Sequence, residues 1–285
     1  MCGRYAQSRN QHELQLAFDL PEETIAEEAD PRAWPPLDEL PPDYNVAPGK
    51  PVYAVLGPPP RGAGGDDEPA GPRHLRTLRW GLVPSWAKDR NVGYRMINAR
   101  GETVADKPAF RAAFRRRRCL LPADAYYEWQ LIGADGRAEA GTSPATDPQH
   151  RKRKARSAKK PFAVHYDDRE PLALAGIFER WRDPEADEND PAAWLWTCAV
   201  ITTGAAPELA HIHDRMPVVV PRGDWATWLD PDSGADDLAH VMAGTPVDRF
   251  AVDEVSTDVN SIKNNGPGLL APVPGTEDDG PDTLF

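Results

Sequence analysis

The chain opens Met1-Cys2-Gly3-Arg4-Tyr5. Initiator methionine is normally removed when a small residue follows it, and its removal here makes Cys2 the first residue. An α-amine (reference pKa about 7.7–8.0) and a thiol (about 8.5) then share one carbon skeleton. Both are partly active nucleophiles near neutrality. Such a pair condenses with an aldehyde to a Schiff base, after which the thiol closes a five-membered thiazolidine ring. Ring closure is intramolecular and draws on a large effective-molarity advantage. If Met1 stays on, Cys2 is an ordinary cysteine, and residue 2 alone leaves that alternative open.

The elements that must position Cys2 come from a chain of 285 residues, long enough to bury a sizeable core. No apolar run approaches the roughly 20 residues of a membrane span, and no apolar stretch of secretory type follows the start. Three widely spaced cysteines (Cys2, Cys119, Cys198) argue against a disulfide framework and suit a reducing cytosol. The net charge of −12, from 33 basic and 45 acidic residues, gives no global basic footprint for nucleic acid. Local clusters must decide that question. Val52–Leu56, Leu75–Leu82, Cys119–Gln130, Phe162–Tyr166, Leu172–Trp181, Trp194–Thr203 and Val247–Val255 read as strands, rich in β-branched and aromatic residues. Helices are expected at Gln11–Asp19, Lys107–Arg118, Ala206–His211, Arg222–Leu229 and Ala235–Ala243. There is no βαβ rhythm, so the expected class is α+β: a single domain with a mostly antiparallel, curved or barrel-like β core and peripheral helices. It spans residues 1–272, with loop insertions at 57–72, 133–160 and 183–192 and a flexible tail at 273–285.

Several motifs lie along this frame. They are Tyr44-Asn45-Val46-Ala47-Pro48, Trp80-Gly81-Leu82-Val83-Pro84-Ser85-Trp86, Ile97-Asn98-Ala99-Arg100-Gly101-Glu102-Thr103, Tyr126-Tyr127-Glu128-Trp129, Thr202-Thr203 and His213-Asp214-Arg215-Met216-Pro217. With the opening Met1-Cys2-Gly3-Arg4, and in this order from Cys2 to about Pro272, they resemble the SRAP family, the SOS-response-associated peptidase-like proteins that sense abasic sites. The resemblance implies covalent capture of abasic sites in single-stranded DNA through Cys2. It implies that Asn98 holds the opened sugar or the Cys2 backbone, that Glu128 moves protons, and that His213 assists ring opening and imine formation. It also implies DNA contacts by Arg4, Arg100, Arg215 and Thr202, with Trp86, Pro48 and Asn45 as a platform for flanking bases. Family members can carry a second aromatic after the Trp86 position; this chain has Ala87 there.

The chemistry agrees with those roles. An abasic sugar is mainly a closed hemiacetal, so an acid–base pair must open it, and loss of hydroxide on imine formation needs a proton donor. Glu128 ends an apolar stretch in which burial raises a carboxyl pKa. His211 and His213 lack the further ligands of a metal site, so no metal or cofactor is expected. The basic run Arg151–Lys160 is either a solvated loop or an added phosphate clamp, and the ending Asp282-Thr283-Leu284-Phe285 faintly resembles tails that dock on replication sliding clamps. The other functional readings are an N-terminal-nucleophile cysteine peptidase or amidase, and a non-catalytic single-stranded DNA-binding module. A cytoplasmic monomer is the default expectation.

Overall fold

Two eleven-residue runs, Leu172–Arg182 and Trp194–Gly204, are the longest strands and pair antiparallel from Gly176↔Val200 to Arg182↔Trp194. Around them a computed structural model describes residues 2–22, 32, 34–57, 72–133, 138–139, 158–187 and 190–274. Its strands are β1 (Tyr5–Gln7), β2 (Asp43–Val46), β3 (Pro51–Leu56), β4 (His74–Trp80), β5 (Asn98–Arg100), β6 (Arg118–Ala123), β7 (Ala125–Ile132), β8 (Ala138–Glu139), β9 (Ala158–Tyr166), β10 (Leu172–Arg182), β11 (Trp194–Gly204), β12 (Arg215–Pro217) and β13 (Phe250–Glu254). Its α-helices are α1 (Gln11–Ala17), α2 (Arg111–Arg116), α3 (Trp225–Leu229) and α4 (Ala235–Ala243).

Five strands close into a barrel in the order β10-β6-β3-β4-β11, with β11 returning to β10. Closure removes the open edges that a flat sheet would expose. The β4–β11 pair is parallel (Thr197↔Arg79, Cys198↔Trp80), so the barrel is mixed. Short β5 continues on β11, also parallel, and β12 adds antiparallel. A second, antiparallel sheet runs β13-β9-β7-β1-β2, with β8 on β7. The fold class is α+β with a barrel core, as the sequence indicated.

Alternation along the strands explains why the barrel segments read as continuous apolar runs. Along β3, Tyr53 and Val55 face the helices with Leu14, Phe114, Trp225, Trp228 and Leu238. Val52, Ala54 and Leu56 face the other way, onto Cys2, Tyr5, Tyr126 and Val164 of the second sheet and the chain start. Both faces are buried, so the usual polar half of the pattern is missing.

Several expected elements change. The stretch Cys119–Gln130 is two strands, one in each sheet. The chain turns between them at Asp124, whose carboxylate accepts from the Ser8 N–H and Oγ–H and from Arg9 Nε. Residues 206–211 form turns instead of a helix, and Arg222–Leu229 begins as a 3₁₀ turn before α3. Ala158–Lys160, taken as the end of an insertion, belongs to β9, where Lys160 Nζ lies 2.5 Å from Glu254 Oε2. Val273, at the start of the expected tail, donates to the Glu254 carbonyl. Residues 275–285 of that tail, most of the basic run and most of the 57–72 insertion lie outside the described residues.

Candidate active site

Cys2 reaches the site because β1 runs antiparallel to β7. Tyr5 pairs with Tyr126, and the Tyr127 N–H donates to the Arg4 carbonyl at 2.9 Å. This register carries residue 2 past the Glu128 position of β7. From the other side, β5 is held on β11 by the pairing Asn98↔Val200. It presents Asn98, whose Nδ2 donates to the Cys2 carbonyl at 2.7 Å. Asn98 therefore holds the Cys2 backbone, one of the two roles considered for it.

Cys2 is fully buried. Burial first, and then the Glu128 charge, push its thiol pKa far up. At neutral pH the sulfur is thus a thiol and not a thiolate. Glu128 is 5% exposed, and burial raises its carboxyl from 4.5 to about 7, with the charge of Asp214 adding to the rise. The expected upward shift at this position is present, and it places the group between acid and base at neutral pH. Tyr126 is buried against both groups, and burial followed by the charges of Cys2 and Glu128 hold its hydroxyl well above the ordinary value.

His213 stands in the turn between β11 and β12. Gln130 Nε2, on β7, donates to the His211 carbonyl at 3.0 Å and ties this turn to the Glu128 strand. The His213 Nδ1 lies 3.0 Å from the Arg215 backbone N–H and 2.9 Å from Asp214 Oδ1. A neutral ring accepts from Arg215 and carries its proton on Nε2. A protonated ring pairs with Asp214 instead. Two protonation states are therefore each provided with a partner. Cys2, Asn98, Glu128 and His213 come from the chain start, β5, β7 and the β11–β12 turn; Asn98 and Glu128 each act on Cys2, and Asp214 stands between Glu128 and His213.

The expected DNA residues divide into two groups. Arg100 and Trp86 are exposed, Trp86 at 65%, and Pro48 is partly exposed. Asn45 is fully buried, which corrects its expected place on a base-stacking platform. Its Nδ2 donates to the carbonyls of Val259, Ser261 and Asn264, and its Oδ1 accepts from Arg4 Nη1. The amide side chain thus pins the 256–266 turn over Arg4. Arg4 itself is half-buried, bonded also to the Val259 carbonyl and lying 5.8 Å from the Trp129 ring centroid. Thr202 is likewise fully buried, and its carbonyl accepts from Arg215 Nη2 at 2.6 Å. Asn45 and Thr202 hold the arginines.

Asn45→Ala removes the donor to the Asn264 carbonyl, one of two donors to the Val259 and Ser261 carbonyls and one acceptor of Arg4 Nη1, at roughly 1–3 kcal/mol for buried groups left unsatisfied. The expected outcome is a lower unfolding midpoint with faster proteolysis within residues 256–266. A midpoint equal to that of the parent protein would contradict this placement.

Sequence reasoning missed Tyr94. It is 54% exposed on a 3₁₀ turn, Arg90–Arg95, and receives a 3.0 Å bond from Arg79 Nη2. The turn folds back because Gly81 and Gly93 pack backbone to backbone. A Cβ on Gly81, whose φ is +122°, would sit 2.8 Å from the Gly93 oxygen. Tyr94 in turn lies over Gly49, where a Cβ would come within 2.9 Å of its ring. An exposed aromatic is therefore available beside Pro48 even with Ala87 in place. Only the glycine pairing at 81 and 93 hinted at it. Trp129 was quoted only as part of its motif, yet its Nε1 donates to Asn260 Oδ1 at 2.6 Å.

The whole arrangement has relatives. Residues 1–262 match the family model SOS response associated peptidase (SRAP). The abasic site processing protein YoqW of Bacillus subtilis is 33% identical over 271 residues, 95% of this chain and 99% of that protein. Its relative YoaM, also an abasic site processing protein of that organism, is 34% identical over 95% of this chain and 97% of its own. The abasic site processing protein HMCES of Xenopus tropicalis is 29% identical, covering 99% of this chain and 81% of its own. A crystal structure of a protein from Bacteroides thetaiotaomicron shares the fold at a TM-score of 0.67 and 19% identity, over 95% of this chain and all of the other. Sequence match and architecture agree, and the chain belongs to the SRAP family.

Proposed function

We propose that this protein captures abasic sites in single-stranded DNA as a thiazolidine formed between the matured Cys2 and the ring-opened sugar. The observation that carries the reading is the 2.7 Å bond from Asn98 to the Cys2 carbonyl, which fixes residue 2 beside a carboxyl with a pKa of about 7.

The steps follow from those protonation states. His213 and Glu128 open the hemiacetal, one giving a proton to the ring oxygen while the other takes the hydroxyl proton. The Cys2 amine adds to the freed aldehyde. Protonated Glu128 donates to the departing hydroxyl, water leaves, and the imine remains. Because burial keeps the sulfur protonated, the amine reacts first and the thiol second. Loss of water leaves the imine protonated; as sulfur attacks its carbon, the C–S bond forms, the C=N electron pair moves onto nitrogen, which keeps the proton it already carries, and the thiol proton passes to the Glu128 carboxylate. Aldehyde and aminothiol thus combine with net loss of one water. Diversion of the imine into β-elimination gives slow strand cleavage as a side outcome.

An N-terminal-nucleophile amidase uses the same Cys2, with its amine as base and Asn98 at the oxyanion. Burial of the sulfur disfavours it, since amide attack needs a thiolate. One experiment separates the readings. The mature protein is incubated with single-stranded DNA bearing one abasic site, and separately with an unstructured peptide. The expected result is a denaturation-resistant adduct whose mass is the sum of protein without Met1 and DNA, less one water. Peptide cleavage without an adduct would overturn the proposal in favour of the amidase; reversible binding alone would leave only a passive module.

A further inference from the structure

We propose that Glu102 is an internal carboxylate that occupies the fork of Arg215 in the DNA-free protein and yields it to a backbone phosphate of single-stranded DNA. The inference rests on the proposed DNA-binding function of this face and adds a specific exchange to it.

The geometry leaves Arg215 no spare face. Its Nη1 donates to Glu102 Oε1, and its Nη2 lies 2.9 Å from Glu102 Oε2. The same Nη2 donates to the Thr202 carbonyl at 2.6 Å and lies 3.3 Å from Thr202 Oγ1. The Nε is buried, so it cannot offer a second edge. A planar guanidinium takes a phosphate best through paired N–H groups, and here that pair already holds a carboxylate. Arg215 as found is a satisfied ion pair and not an open phosphate site.

The two anchors of Arg215 differ in their freedom to leave. Thr202 is fully buried in β11 and paired with both Pro217 and Arg100. Glu102 stands on the short 3₁₀ turn Gly101–Thr103 with its side chain 52% exposed, against 14% for that of Arg215. Glu102 can therefore rotate into water while Thr202 keeps the guanidinium in place. Hydrogen bonding from Arg215, helped by the charge of Arg100, holds the Glu102 carboxyl below its ordinary value. The exchange is thus one anion for another and requires no proton.

The arrangement has a physical purpose in a chain of net charge −12. An uncovered arginine would hold any polyanion, whereas a covered one contributes only when a phosphate arrives in the right register. The same arginine supports the His213 ring through its backbone N–H. Anchoring on Thr202 keeps that support during the exchange.

The test measures binding of an undamaged single-stranded oligonucleotide, with no abasic site, by the parent protein, Glu102→Gln, Arg215→Gln and the double variant. Removing a competing carboxylate at a half-exposed pair tightens binding about threefold. Because Arg215 meets the phosphate in both complexes, the slope of log affinity against log salt stays that of the parent; a slope steeper by about 0.7, the increment for one more neutralised phosphate on a single strand, would mean that the parent never makes the exchange and would overturn it. In the Arg215→Gln background the gain disappears, because no fork remains to be contested. An equal gain in both backgrounds would mean a general charge effect and overturn the exchange; so would weaker binding by Glu102→Gln. The salt slope of Glu102→Gln decides the matter even if Arg215→Gln folds poorly. If none of the four proteins binds the oligonucleotide, the DNA-binding reading itself fails, an outcome distinct from binding without coupling.

Discussion

Cys2→Ala abolishes the heat- and denaturant-stable adduct while leaving a trappable one. Alanine keeps the α-amine after methionine removal, so an imine with the abasic aldehyde still forms. It lacks the sulfur that closes the ring, and the imine returns to amine and aldehyde in water. Intramolecular closure is worth effective molarities of about 10⁵–10⁸ M. The yield of unreduced adduct is therefore expected to fall by about 10³-fold or more. Added cyanoborohydride should restore a band of protein–DNA mass by converting the imine to a secondary amine. The substitution removes one sulfur from a fully buried position, so the fold should survive. Equal unreduced adduct from the parent and the alanine variant would overturn the thiazolidine. Adduct formation by a protein that retains Met1 would do the same.

Glu128→Gln is expected to slow crosslinking by about 10²–10⁴-fold, the range for loss of a positioned acid–base group. Its second effect runs the other way. The folded-state carboxyl sits near 7 against an ordinary 4.5, so the folded protein holds a proton that the unfolded chain releases. The stabilisation from holding it is complete below pH 4.5 and is lost as pH rises through 7. A shift of this size corresponds to roughly 3 kcal/mol. Glutamine, neutral at every pH, lacks that loss. The variant should thus be more stable than the parent at pH 8 and comparable at pH 4, with denaturation midpoints as the measurement. Activity and stability moving in opposite directions marks a residue placed for chemistry at the expense of folding. Parallel stability curves across that pH range would show that Glu128 is not buried as described.

What the sequence revealed, and what it hid, follows from where each segment gets its stability. Leu172–Trp181 and Trp194–Thr203 were legible because β-branched and aromatic residues favour strands on their own. β1, β5 and β12 are three residues each and owe their conformation to neighbours, so Asn98 and Arg215 carried no strand signal. The run Cys119–Gln130 hid a change of sheet because both of its halves are apolar and only Asp124 marks the corner. Cys2, Glu128 and His213 were readable as reactive side-chain types within motifs. Asn45 and Thr202 were not separable from surface residues, since burial of a polar side chain is decided by distant carbonyls and arginines. Tyr94 depends on two glycines meeting across a turn, a contact that no local pattern announces.

The parallel pairing of β4 with β11 spans more than a hundred residues and is the seam that shuts the barrel. Contacts of such sequence separation form late, after a large loop entropy has been overcome. The β11–β12 turn bearing His213 follows directly on that seam, at the far end of the polypeptide from Cys2. A nascent chain still on the ribosome, with its last third unsynthesised, has an amino-terminal aminothiol but no assembled cradle around it. Timing is thereby built into topology: the acid–base groups that would open a closed sugar gather around Cys2 only once translation has passed residue 213, and truncated fragments should react with free aldehydes as an ordinary aminothiol but open no closed sugar.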